Sequence, residues 1–199
     1  MRKIVTTSLC AVAFAGAFSA QQAPATPGAA QQPRPLPGVT VEVRNIYNNI
    51  KGFITRAAEA FPEDKYKWQP TPEVRSWSRL IGHIIDDNNG SCWAMGGLTA
   101  APARVDTPNS NESGAFGKPK AELVSMLADS FALCDKAFDT LTDANMAERN
   151  GTSNRSKFGA MFYNTQHINE HYGNIVTYMR LQGLVPPSSA PRGGGPGAN

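Results

Sequence analysis

Residues 156–182 read SKFGAMFYNTQHINEHYGNIVTYMRLQ, and this stretch decides the fold. On a helical wheel of about 100° per residue, its apolar residues lie within about 40° of Ile168: Met161, Tyr172, Ile175 and Met179. Gly183 and the Pro186-Pro187 pair follow, and a glycine with prolines beyond it is typical of a helix end. The stretch therefore predicts an amphipathic helix that begins near Ser156 and ends near Gln182.

Three earlier segments have the same periodicity. Residues 41–61 place one apolar face on a helix that Pro62 ends: Val43, Ile46, Tyr47, Ile50, Phe53, Ile54 and Ala57. A second helix is predicted from an N-cap at Ser76 to Ala94 or Met95, before Gly96-Gly97, and a third begins near Pro119. The segment between the first two helices contains Tyr66 and Trp68, so we expect it to pack on the domain.

These segments predict an all-α fold. No run reads as a strand, and four amphipathic helices can bury their apolar faces only against each other, so the fold class is a four-helix bundle. The irregular connection at 97–117 is long enough for a crossover between the second and third helices. Helix spacing alone leaves both a crossover and a simple up-down topology open.

The two ends of the chain differ from its centre. Residues 1–20 resemble a signal peptide, with Arg2 and Lys3 before an uncharged apolar run and small residues for cleavage. Residues 21–38 and 186–199 are rich in Pro, Ala, Gln and Gly and are expected to be a disordered leader and a disordered tail. The folded domain is thus predicted at 39–185, in an exported protein that is periplasmic or secreted.

Composition limits the partners. A chain of 199 residues with 41% apolar residues suits one domain with a real core. Loss of residues 1–20 removes Arg2 and Lys3 and no acid, so the net charge falls from +3 to +1. Such a small charge argues against nucleic acid or anionic lipid as a partner, and no membrane span is expected after cleavage. A small-molecule substrate is expected, and both a monomer and a homodimer stay open.

Two cysteines remain once Cys10 leaves with the signal peptide. In an oxidising compartment Cys92 and Cys134 can form one disulfide. The alternative is two separate buried thiols that pack as small apolar residues.

The chain has only three histidines, and their placement suggests a metal site. His167 and His171 flank the same side of the apolar face of the last helix, one turn apart, so their rings can converge on one ion. His83 lies about 10 Å into the second helix at 1.5 Å per residue, a depth compatible with that pair. Three imidazoles leave a fourth position open, as in catalytic sites. The alternative is three histidines that only pack in or beside the core.

Several polar residues are candidate neighbours of this site. Asp86 and Asp87 follow His83 by three and four residues and can accept a hydrogen bond from a ligand ring or serve as a fourth ligand. Tyr163 and Asn164 are candidate lining residues, and Glu170 is a further candidate. Each of these acids can equally be solvated.

One family resemblance covers residues 40–187. The segment KYKWQPTPEVRSWSRLIGHI, the HINEH pair 84 residues after His83, EHYG and the helix end VTYMRLQG resemble the DinB (DinB/YfiT-like) family of four-helix-bundle metal-dependent proteins. The resemblance implies a crossover between the second and third helices. It also implies a divalent ion, zinc or nickel, bound by His83, His167 and His171. Relatives in the wider superfamily activate a low-molecular-weight thiol for transfer or isomerisation.

The predicted function is therefore an exported metal-binding protein that acts as a hydrolase or thiol transferase, with no catalytic residue assigned. One rival is a metalloprotease, because HINEH also reads as H-x-x-E-H with Glu170 as general base. That class needs a further acidic ligand downstream, and no acidic residue follows His171. The other rival, a non-catalytic metal-binding or interaction bundle, stays open.

Overall fold

The computed structural model describes residues 36–106, 114–151 and 153–191. The described chain has four α-helices: α1 (Val39–Ala60), α2 (Trp77–Cys92), α3 (Lys120–Thr140) and α4 (Lys157–Leu181). Its only β pairing is an isolated bridge between Arg149 and Ser156. The all-α prediction is confirmed. The predicted signal peptide and most of the predicted leader lie outside the described residues.

The helix ends follow the sequence signals closely. Ser76 caps α2 and accepts a hydrogen bond from the Arg79 N–H at 3.4 Å, as predicted. Gly183 adopts a φ of +72° just after α4, a left-handed conformation that glycine enters without steric cost. The end of α2 was predicted too late. The helix stops at Cys92 and residues 93–97 form turns, with Gly97 at φ +87°.

One edge of the apolar face on α1 lies in water. Ile46, which we expected on that face, is 53% exposed, whereas Tyr47 and Ile54 are fully buried. Phe53 lies on the same edge as Ile46 but is half-buried, because its ring stacks on Tyr172 of α4 at 5.2 Å. The buried stripe of α1 is therefore narrower than its sequence pattern.

The connection between α1 and α2 is packed, as expected. Phe61 stacks on Trp77 with ring centroids 3.6 Å apart, and both side chains are fully buried. The Tyr66 hydroxyl donates to the Ala58 carbonyl at 2.5 Å. These contacts fix the start of α2 against the end of α1.

Side-chain pairs define the direction of α3 relative to its neighbours. Asn88 of α2 donates to Ser130 of α3 at 3.1 Å. Four residues later in both helices, Cys92 bonds to Cys134. Residue numbers rise together along this pair, so α2 and α3 are parallel. A parallel pair needs a connection that returns along the bundle, which is the predicted crossover.

The other pairs run in opposite directions. Lys51 of α1 binds Asp135 of α3, and the earlier residue Arg44 binds the later residue Asp139. Helices α1 and α3 are therefore antiparallel. Helices α2 and α4 are also antiparallel. The Tyr178 hydroxyl, near the end of α4, donates a hydrogen bond to the carbonyl of Arg75, just before the start of α2. Both α1 and α2 pack on α3 and α4. The bundle thus runs up-down-down-up, with α1 diagonal to α2 and α3 diagonal to α4.

Two buried aspartates fasten the crossover to α2. The Asp86 carboxylate accepts the backbone N–H of Val105 at 2.6 Å and that of Asp106 at 2.8 Å. The Asp106 carboxylate, 3% exposed, accepts from Arg75 Nε at 3.0 Å and from Arg79 Nε at 2.9 Å. The crossover therefore lies against the helix that carries His83.

Close packing of the crossover requires a glycine. A Cβ on Gly82 would stand 2.4 Å from the Ala115 Cβ, which is closer than real Cβ contacts. The missing side chain lets the crossover contact α2 directly beside His83.

Residues 92 and 134 form the disulfide, which is one of the two alternatives left by the sequence. At the other end, part of the segment that we assigned to the disordered tail contacts the bundle. The Ser188 N–H donates to the Tyr172 hydroxyl at 2.9 Å, and Pro186 is buried. The proline-rich composition of the tail gave no sign of this contact. Among the described residues, no helix has the length and apolar character of a membrane span.

Candidate metal centre

Three imidazoles meet at the interface of the antiparallel helices α2 and α4. His83 extends from α2, and His167 and His171 extend from successive turns of α4. One ring nitrogen from each lies within 4.8 Å of the other two. The Nε2 atoms of His167 and His171 are 2.9 Å apart, and the ring of His83 is perpendicular to that of His171 with centroids 4.6 Å apart. The prediction that the three histidines lie close together is confirmed.

Asp87 orients the ring of His167. Its Oδ1 atom lies 2.7 Å from His167 Nδ1, so Nδ1 carries the proton and Nε2 keeps its lone pair toward the other histidines. Asn164 donates to Asp87 Oδ2 at 3.2 Å and to Asn88 Oδ1 at 2.9 Å. A carboxylate that is itself held in place behind a ring N–H is typical of histidines that bind metals.

The other two histidines are held differently. The side-chain amide of Asn174, one turn further along α4, lies 3.3 Å from His171 Nδ1. His83 Nδ1 is buried without a hydrogen-bond partner in the described chain, and the nearest acidic oxygen, Asp106 Oδ2, is 3.9 Å away. A buried polar atom left unpaired costs roughly 1–3 kcal/mol.

Burial keeps two of the rings neutral. It lowers the pKa of His83 to about 4, helped by the positive charge of Arg75. Burial also lowers the pKa of His171 to about 4, helped by its proximity to His83. Burial raises the pKa of Asp87 above its ordinary value, against the lowering effect of its hydrogen bond to His167. Neutral imidazoles at pH 7 are the form that binds metal ions.

The residues fit a divalent ion. Nitrogens bound to zinc at about 2.0–2.1 Å in a tetrahedron stand roughly 3.3 Å apart. The Nε2 atoms of His167 and His171 are 2.9 Å apart, slightly closer than this value, and no two ligand nitrogens of the three histidines are more than 4.8 Å apart. The donor set of three imidazoles is suited to zinc, nickel, copper or iron.

A cavity of about 530 Å³ opens beside the histidines. His83 and His167 form part of its wall, with Asp86, Asp87 and Tyr163. The Tyr163 ring lies 5.5 Å from the ring of His167. A small molecule in this cavity would therefore reach two of the three histidines.

The candidate neighbours divide into three groups. Asp87, Tyr163 and Asn164 belong to the site, through the contacts described above. Asp86 lines the cavity, but its carboxylate is taken by the crossover and touches no histidine. Glu170 is exposed and does not belong to the set. It lies about 200° from Ile168 on the wheel, so the helix turns it to solvent.

Other residues of the site were not predicted. Arg104, Asn150 and Arg155 line the cavity, and they come from irregular segments where no periodicity indicates direction. Asn174 was also missed, although its position three residues after His171 places it on the same helix face. That spacing could have identified it.

A comparison with protein families agrees with this geometry. The family model described as the DinB superfamily matches residues 54–175, a range that contains all three histidines. The chain belongs to the DinB superfamily. No curated protein matches the chain. This helical, metal-associated superfamily accounts for both the four-helix bundle and the histidine cluster of this DinB member.

Proposed function

We propose that the protein binds one divalent metal ion through His83, His167 and His171 and acts as a metal-dependent hydrolase or thiol transferase on a small molecule. One observation carries this proposal. The three ligand nitrogens lie within 4.8 Å of each other at the wall of a cavity large enough for a substrate. Zinc or nickel is the proposed ion.

The chemistry divides between the ion and the chain. A bound divalent ion supplies Lewis-acid chemistry, which lowers the pKa of a water or thiol that it binds. Asp87 fixes the tautomer of His167, and Asn164 fixes the position of Asp87. The cavity gives a substrate access to His83 and His167.

Metal analysis tests the site directly. Purified protein is expected to carry close to one equivalent of divalent ion, and His167→Ala with His171→Ala should abolish it. The matched control is Gln166→Ala with Asn169→Ala, because both residues are exposed on the same helix. The control should keep full stoichiometry. Equal metal content in the histidine variant and the control would refute the proposed site.

Turnover separates an enzyme from a metal-storing or sensing protein. Metal-loaded protein should hydrolyse ester or amide substrates, or transfer a thiol to an electrophile, and dialysis against a chelator should remove the activity. A fully loaded protein that turns over neither class would favour the non-catalytic alternative. Casein digestion that Glu170→Gln abolishes would instead favour the metalloprotease.

We also propose that the protein is exported. The pattern of residues 1–20 supports this, and so does the Cys92–Cys134 disulfide, since disulfides persist in oxidising compartments. Fractionation of cells that express the full chain, with N-terminal sequencing of the mature protein, tests the proposal. Cleavage is expected after Ala17 or Ala20. A cytoplasmic protein that retains Met1 would contradict it.

A further inference from the structure

We propose that the cavity beside the histidines binds a small organic anion, whose acidic group is held by Arg155. The proposal rests on the proposed function in one respect: the reacting end of the anion is the end that reaches the histidines. The acidic group is an oxyanion, either a carboxylate or a phosphate.

Arg155 is built to receive an anion. Its guanidinium carbon lies over the face of the Tyr163 ring, 3.9 Å from the ring centroid. The aromatic ring takes up none of the N–H donors as a carboxylate partner would, and a guanidinium binds carboxylate or phosphate through those N–H groups. In the described part of the chain no carboxylate comes within ion-pair distance of Arg155.

Two acids also lie on the cavity wall, and neither is within ion-pair distance of Arg155. Asp86 accepts two backbone N–H groups of the crossover, and Asp87 is hydrogen-bonded to His167 and Asn164. Arg104 Nε lies 3.6 Å from Asp86 Oδ2, within ion-pair distance, and its side chain is 69% exposed. Arg104 is therefore paired with Asp86, and Arg155 is the guanidinium of this wall that has no carboxylate partner in the described chain.

An unpaired amide in the same wall gives independent evidence of a ligand. Asn150 is 6% exposed, and its Oδ1 atom has no hydrogen-bond partner within the described residues. It lines the cavity together with Arg155. Burying an unpaired amide oxygen is costly, and a ligand with an N–H or O–H group would remove that cost.

The loop that carries these two residues is held in shape. The Asn150 N–H donates to the Arg155 carbonyl at 2.9 Å, and Arg149 and Ser156 pair as an isolated β-bridge. Gly151 takes a φ of +54° at the turn, a conformation that favours glycine. The loop therefore presents the guanidinium and the amide together, on a wall that also contains His167. The cavity volume of about 530 Å³ fits a small molecule and not a polymer.

Binding of matched probes tests the charge preference. Glutaramate, which carries one carboxylate and one amide, and its uncharged diamide, glutaramide, have the same length and shape, and both offer an amide N–H to Asn150. Inorganic phosphate separates the two kinds of oxyanion. Isothermal titration on zinc-loaded and on chelator-treated protein should show glutaramate binding at least about tenfold more tightly than glutaramide in both forms. Arg155→Gln should remove that advantage and leave glutaramide unchanged, and Arg155→Lys should keep part of it.

The control is Arg56→Gln, an exposed arginine of α1 that is not part of the cavity wall. It should bind both probes as the unmodified protein does. Equal affinities for glutaramate and glutaramide, or an Arg155→Gln protein that keeps the preference, would overturn the proposal. Tighter binding of phosphate than of glutaramate would assign the oxyanion as a phosphate. The titration on chelator-treated protein measures anion binding without a metal ion. A failure of the anion proposal can therefore be distinguished from a failure of the proposed metal site.

Discussion

The two faces of α2 show how this bundle separates stability from chemistry. The face toward α3 carries the Cys92–Cys134 disulfide, and Asn88 lies between the two faces, since it donates to Ser130 of α3 and accepts from Asn164 of α4. The face toward α4, about 180° away at His83, carries a histidine and an acid that contact polar groups across the interface. Two buried polar atoms at the α4 interface, His83 Nδ1 and Asn164 Oδ1, lack partners in the described chain. Such local conflicts are typical of functional sites.

The disulfide on the α3 face should have the largest effect on stability. Replacing both cysteines by alanine releases a loop with a sequence separation of 42 residues, which costs about 4 kcal/mol of unfolding free energy by chain entropy. Chemical denaturation of the chelator-treated protein, followed by circular dichroism, measures this. Metal stoichiometry should stay unchanged. A variant that folds but no longer binds metal would show that the two faces of α2 are not independent.

Asp87 should matter for metal affinity and little for folding. Asp87→Asn removes the charge behind His167 and should weaken zinc binding by about 10–100-fold, measured by competition with a chelator of known affinity. The neighbouring residue is the matched control. Asp86→Asn should lower stability by about 1–3 kcal/mol, because one of the two crossover N–H groups then faces an amide N–H₂ group in place of a carboxylate oxygen, and it should change zinc affinity only slightly. Equal effects of the two changes on zinc affinity would argue against a specific role for Asp87.

His83 should have the smallest effect on folding. His83→Leu replaces an unpaired buried nitrogen by apolar atoms of similar volume, so the metal-free protein should change in stability by no more than about 1 kcal/mol. The same variant should lose metal binding. A large loss of stability in the absence of metal would mean that His83 is a structural residue, and this would favour core packing as its role.

The helices were predictable because their periodicity is local. Apolar spacing and caps such as Ser76 and Gly183 placed most helix ends within one to three residues. The arrangement of the helices in the bundle was not predictable, because the apolar face of a helix does not determine which other helix packs against it. The long segment at 97–117 allowed a crossover, and only the parallel α2–α3 contacts decided it.

The histidines of the site were predictable for a similar reason. His167 and His171 share a helix face, and His83 lies at a matching depth, so local geometry was enough. Asp86 and Asp87 show the limit of this approach. They are adjacent in sequence, and the sequence gives no reason to direct one to the crossover and the other to His167. Arg155 and Asn150 were beyond prediction because the shape of an irregular loop depends on the whole fold.

The parallel arrangement of α2 and α3 has a kinetic consequence. Neither α1 and α2 nor α3 and α4 lie side by side, and α2 and α3 are parallel, so no two consecutive helices form an antiparallel hairpin. Each helix–helix interface therefore forms between segments that are far apart in sequence. The contact order is higher than that of an up-down bundle of equal length. Folding should therefore be slower than in such a bundle, since loop closure must precede every stabilising contact.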